Sequence, residues 1–181
     1  MAKSIRPNVA IGIMIVALAA FGLTPLQAQE TCKVNEDVSA KNTKYTEQHI
    51  FNIDDTPGHI IRIFELVRSY PDDRPNCEGL KRTQTILHSS VDYVNGNGTL
   101  HGYATTTYEN GDKIFAEVHG ISQTVVNPDG SKKGSFSGVT LFTGGTGKYQ
   151  RVRGLTREKT DFDIAAGYNQ SHTEGEYWIE K

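Results

Sequence analysis

The chain lacks any surplus of charge, any metal-ligand spacing and nearly all sulfur and tryptophan. Its 181 residues carry 19 Lys+Arg against 21 Asp+Glu, with 2 Cys, 2 Met and 1 Trp. Lys3 and Arg6 lie in an N-terminal apolar leader, so the remainder holds 17 cationic and 21 anionic residues, a net of about −4. A polyphosphate partner needs a basic footprint, and this balance disfavours nucleic acid. Charged residues at 22% and apolar residues at 36% match an ordinary globular chain rather than a disordered one, and the length suits one domain. Neither cysteine has a CxxC partner or a nearby histidine, which argues against a reactive thiol or a metal site. No window has the apolar spacing of an amphipathic helix, and no cofactor motif is present.

The one long uncharged run is residues 9–23. It follows Lys3 and Arg6, is broken by Thr24-Pro25, and ends at Leu26-Gln27-Ala28, a small-residue cleavage signature. Residues 1–28 therefore read as a secretory signal peptide. A retained anchor is the alternative, but fifteen residues are short against the roughly 20 that a membrane span needs. Export to a periplasm or by secretion follows, with no membrane contact after cleavage. An oxidising compartment in turn favours a Cys32–Cys77 disulfide, tying the N-terminal segment to the loop at 71–79.

Residues 29–44 are polar and aperiodic and read as a loose tail. From Tyr45 to Lys181 the chain alternates short β-branched and aromatic runs with turn residues. Candidate strands are 45–54, 59–69, 80–93, 99–108, 113–126, 134–143, 149–160 and 173–180. Asn110-Gly111 is a strong hairpin signal, since a type I′ turn needs positive φ at both central residues. Asn127-Pro128-Asp129-Gly130 suits a type I turn. Breaks also fall at Thr56-Pro57-Gly58 and at 95–98. The expected fold is all-β: eight strands in an antiparallel up-and-down meander, closed into a barrel that removes exposed edges. A two-sheet sandwich is the structural alternative.

Residues 138–149, Gly-Val-Thr-Leu-Phe-Thr-Gly-Gly-Thr-Gly-Lys-Tyr, form the most distinctive stretch. It is not a phosphate loop. That motif needs glycine where this chain has Phe142, and Ser or Thr where it has Tyr149. The stretch resembles the β-hairpin of the allene oxide cyclase and dirigent barrel superfamily: an apolar strand end, Gly144-Gly145-Thr146-Gly147, Lys148, Tyr149, and Gly154 inside the next strand. The resemblance implies a barrel with one small-molecule cavity, often trimeric, that cyclises a reactive lipid epoxide or guides the stereochemistry of a coupling. It supplies no residue-by-residue catalytic match. A lipocalin would place Gly-x-Trp in its first strand, whereas Trp178 is in the last. A cupin would show His-x-His, which is absent.

From the residues themselves, Glu117, His119 and Tyr103 form the densest catalytic constellation. A two-residue turn at Asn110-Gly111 pairs Glu109 with Asp112, setting Tyr103 opposite Val118 and His101 opposite Gly120. Glu117 and His119 then lie diagonally across. In a dry lumen a carboxylate beside an imidazole exchanges protons, with Tyr103 donating to an oxyanion; on the exterior the same pair is solvated and contributes little. His101, Phe115 and Arg62 are the candidate ligand contacts. Arg62 and Glu65 lie on opposite faces of their strand, so at most one points inward. Three functions fit this reading: an exported barrel that binds or guides a hydrophobic or phenolic molecule, a cyclase or isomerase working by proton transfer, and a protein-interaction scaffold with a filled interior.

Overall fold

A computed structural model describes residues 30–128, 130–163 and 165–181. The leader, 1–28, lies outside these residues. The chain is all-β. Nine strands form one antiparallel sheet: β1 (Cys32–Val38), β2 (Thr43–Asn52), β3 (His59–Ser69), β4 (Arg82–Val94), β5 (Asn97–Tyr108), β6 (Lys113–Val126), β7 (Lys132–Gly145), β8 (Val152–Asp163) and β9 (Tyr168–Ile179). The order across the sheet is β1-β9-β8-β7-β6-β5-β4-β3-β2. From β2 to β9 the chain runs up and down between neighbours, as the turn spacing predicts. Among the described residues no helix is long and apolar enough to cross a membrane.

The ninth strand corrects the reading of 29–44 as a tail. Cys32 to Val38 pair with β9 in register, Cys32 opposite Tyr177 and Val38 opposite Ser171. The segment has no apolar run, but Cys32, Val34, Glu36 and Val38 alternate inward against Lys33, Asn35 and Asp37. A 3₁₀ turn at Ala40–Asn42 then leads into β2 on the opposite edge. No ladder joins β1 to β2; they are the two edges of the sheet.

The sheet is nonetheless strongly curled. Asn169 of β9 donates to the Tyr45 hydroxyl of β2 at 3.1 Å. Glycines permit the curvature on the inner face. A Cβ at Gly120 or at Gly138 would sit 2.3 Å from the ring of Phe136, so that ring lies flat across two neighbouring strands. The inner face carries two apolar clusters. Phe64, Leu66, Val91 and Tyr93 pack on β3 and β4. Cys32, Tyr108, Ile114, Tyr149, Val152 and Tyr177 pack at the other end, where Tyr108 stacks on Tyr149 at 4.4 Å.

The Cys32–Cys77 disulfide is present, with the two Cα atoms 5.8 Å apart. It ties the loop between β3 and β4 to edge strand β1, a pairing compatible with an exported protein. The loop is held at further points. Asn76 donates to the Tyr149 hydroxyl at 2.6 Å, the Tyr177 hydroxyl donates to Glu78, and Arg82 binds Asp73 at 2.7 Å and also Glu36.

The two Asn-Gly turns differ, and one corrects the expected register. Asn95 (φ 53°) and Gly96 (φ 80°) connect Val94 to Asn97 in a two-residue turn with positive φ at both positions. At Asn110-Gly111 only the glycine is left-handed, at φ 87°. Tyr108 N–H donates to the Asp112 carbonyl, so the loop holds three residues, Glu109 to Gly111. The Asn110 side chain accepts from Asp112 N–H at 3.0 Å, an Asx arrangement, and Asn110 does not adopt the positive φ that Asn95 does. That one-residue change sets Tyr103 directly opposite Glu117 and His101 directly opposite His119.

Candidate functional site

The curled sheet wraps round a half-open cavity of about 740 Å³, within the range of small-molecule pockets. Its wall comes from the inward positions of nearly every strand, including Leu87, Ala104, Ala116, Val118, Phe142 and Thr156. The β3–β4 loop lines it as well, through Pro71, Asp73, Asn76 and Cys77. Alternation along β3 sends Arg62, Phe64, Leu66 and Arg68 to this inner face. From Arg62 to Arg68 the strand advances about 20 Å, so the two arginines mark separate levels of the cavity.

The polar groups on the wall fall into three sets. Near the loop, Arg82 is held by Asp73 and Glu36, and its guanidinium lies 4.1 Å from the centre of the Tyr70 ring. One level in, Arg68 binds Glu158 at 2.6 Å, and Thr160 donates to the same carboxylate at 2.8 Å. Burial pushes the Glu158 carboxyl up, but Arg68 and Thr160 more than offset this and hold it below the usual carboxylate range. At the far level sit Arg62, Tyr45 and the Tyr93–Ser122 hydroxyl pair, which is hydrogen-bonded at 2.5 Å. Burial raises the Tyr93 phenol, so it stays protonated.

Arg62 is 3% exposed. Its guanidinium lies 4.4 Å from the centre of the Phe64 ring and 5.5 Å from that of Tyr45. It donates through Nη1 to the Gln48 side chain at 3.2 Å, while its Nε is buried without a partner. Glu65, one step out of phase, faces away and meets Thr46 and His88.

The other candidate residues lie on the outer face. Glu117 and His119 are 3.5 Å apart with side chains 41% and 43% exposed. His101 packs on His119 at 4.5 Å between ring centres and edge-on to Tyr103 at 5.2 Å. Tyr103 and Phe115 are both exposed. The structure thus brings His101, Tyr103, Glu117 and His119 together, as an outer belt on β5 and β6 rather than inside the cavity. Of the six catalytic and ligand-binding candidates, Arg62 alone lines the cavity. Sequence reasoning missed Arg68, Glu158, Tyr45, Tyr93 and Ser122. A usable signal was the shared parity of Arg62 and Arg68 on one strand otherwise apolar on that face.

The Gly-Gly-Thr-Gly stretch has a local structural role. Gly144 and Gly145 end β7, and a 3₁₀ turn at Gly147–Tyr149 drives Tyr149 into the core, where it is fully buried. Asp112 accepts from Lys148 N–H at 3.0 Å, and a Cβ at Gly147 would fall 1.9 Å from that carboxylate. Among the described residues no group of three or more His, Cys, Asp and Glu is placed to hold a metal ion.

These features define a class by architecture alone: an antiparallel meander curled round an internal cavity with buried arginines on its wall. No protein-family model matches the chain, and no curated protein or solved structure matches it either.

Proposed function

We propose that this is an exported binding protein whose curled sheet works as a barrel and holds one small hydrophobic or phenolic molecule inside. The observation that carries this reading is the cavity of about 740 Å³, whose wall joins aliphatic and aromatic side chains to charged and hydroxyl groups at defined levels. Small-molecule sites use both, apolar area for affinity and placed polar groups for orientation. A scaffold whose interior is plugged by its own side chains accounts less well for that volume. Proton transfer by Glu117 and His119 would take place at the solvated outer face, away from the cavity, so binding or guiding is favoured over cyclisation. The resemblance to allene oxide cyclase and dirigent barrels points the same way.

Native mass spectrometry of the protein purified gently from its exported fraction tests this reading. The expected result is one adduct per chain, on the order of a few hundred daltons, lost when Ala104→Phe fills the wall. A bare mass that persists after incubation with phenolic and lipid extracts would overturn it.

A further inference from the structure

Four arginines line the cavity, and their partners differ; Arg74 is exposed in the β3–β4 loop. Arg68 has Glu158, and Arg82 has Glu36 and Asp73. Among the described residues no carboxylate pairs with Arg62, the least exposed of the four; its polar partners are neutral, the Gln48 side-chain oxygen and the Tyr45 hydroxyl. An unpaired buried cation costs several kcal/mol, and the faces of Phe64 and Tyr45 return only part of that. The Nε donor remains unused.

The neighbouring groups also favour an incoming anion. The Tyr45 hydroxyl accepts from Asn169, which leaves its own proton to give. Tyr93 and Ser122 hydrogen-bond each other, which leaves one hydroxyl proton of the pair to give at this level. Glu158, the acidic group further along the wall, is neutralised by Arg68. Among the described residues Arg62 is the one buried guanidinium on the wall without a carboxylate, Arg74 lying exposed in the β3–β4 loop; a single such cation suits a monoanion, and its planar fork matches a carboxylate better than a phosphate. Beyond Arg62, Leu87, Val118, Ala116 and Phe142 give the wall an apolar stretch toward the β3–β4 loop, beside the paired Arg68 and Glu158.

We infer that the cavity takes an amphipathic monocarboxylate, its head on Arg62 and its apolar body along the wall toward the β3–β4 loop. This rests on the binding reading above and adds the chemistry of the head group. Isothermal titration of the full mature chain at pH 8 with decanoate and with decanol separates the two readings. The expected result is one site per chain and a preference for decanoate of about tenfold or more, the scale of a charge-assisted hydrogen-bonded pair. Arg62→Met should bring the two probes within about threefold, while Arg62→Lys should keep part of the preference. Equal binding of the two probes by the wild type would overturn the carboxylate inference and leave the cavity reading standing. Binding of neither would overturn the carboxylate inference, and together with a bare mass in the adduct experiment it would overturn the cavity reading as well. A decanoate preference that survives in Arg62→Met would also overturn the inference. Should Arg62→Met fail to fold by circular dichroism, the wild-type preference and its retention in Arg62→Lys decide the matter.

Discussion

Arg68 of β3 and Glu158 of β8 lie 90 residues apart in sequence and five strands apart in the sheet, yet their side chains meet at 2.6 Å. In a flat sheet five strand spacings would separate them by about 24 Å. The pair is therefore a direct record of the curl, and removing one partner leaves a buried charge alone. We expect Glu158→Gln to destabilise the protein by about 3 kcal/mol and Arg68→Met paired with Glu158→Leu by less than that, measured by urea unfolding. The pH dependence has a definite sign. Glu158 titrates below its ordinary value of 4.5 in the folded protein, so its contribution is present above that pH and is lost as pH falls through the folded value. The stability gap between wild type and Glu158→Gln should be full at pH 6 and narrow toward pH 3.

The disulfide closes a loop with a sequence separation of 45, which in the chain-entropy model contributes about 4 kcal/mol. Replacing both cysteines by serine should lower the unfolding midpoint accordingly. It should also free β1, since Cys32 sits at the start of that edge strand. Hydrogen exchange checks the second point: amides of Lys33 to Asp37 should exchange faster while those of β5 and β6 hardly change.

Glu117 and His119 face water. We expect Glu117→Gln and His119→Asn to fold with stability within about 0.5 kcal/mol of wild type. They should also bind decanoate as the wild type does. A loss of binding of tenfold or more in either would return these residues to the site.

Gly120 supports the ring of Phe136, and a methyl group there would lie 2.3 Å from it. Gly120→Ala should cost about 1–3 kcal/mol through displacement of the ring. The double variant Gly120→Ala with Phe136→Leu should recover part of that loss, as thermal unfolding of the three proteins would show.

Much of the fold is written locally. Residue alternation marks all eight strands from β2 to β9, because a half-buried strand repeats every two residues. Turn chemistry places the breaks between them, and Cys32 and Cys77 pair as expected. β1 is the exception. Its neighbours in sequence carry no turn or apolar signal, and it is stabilised by β9 and by the disulfide, both remote along the chain. The type of turn at Asn110-Gly111 was also out of reach. Asn-Gly serves both a two-residue and a three-residue loop, and the Asn110 side-chain bond to Asp112 selects the longer one.

The site was legible only at Arg62, and then only as one of two opposite faces of a strand. Alternation divides a strand into two faces without saying which is inside. On β6 the choice lay between Ile114, Ala116 and Val118 on one side and Phe115, Glu117 and His119 on the other. The aromatic and charged face looked like a site, yet it faces water. The smaller residues face inward because a sheet curled this tightly crowds its concave side, and only small or flat side chains there leave a cavity open. Composition, alternation and turn residues by themselves determined an all-β meander with one disulfide. Curvature of the sheet decided the rest: which face is inside, that Arg68 finds Glu158, and that Arg62 is buried with no carboxylate beside it. Those relations join residues distant in sequence, and only packing brings them together.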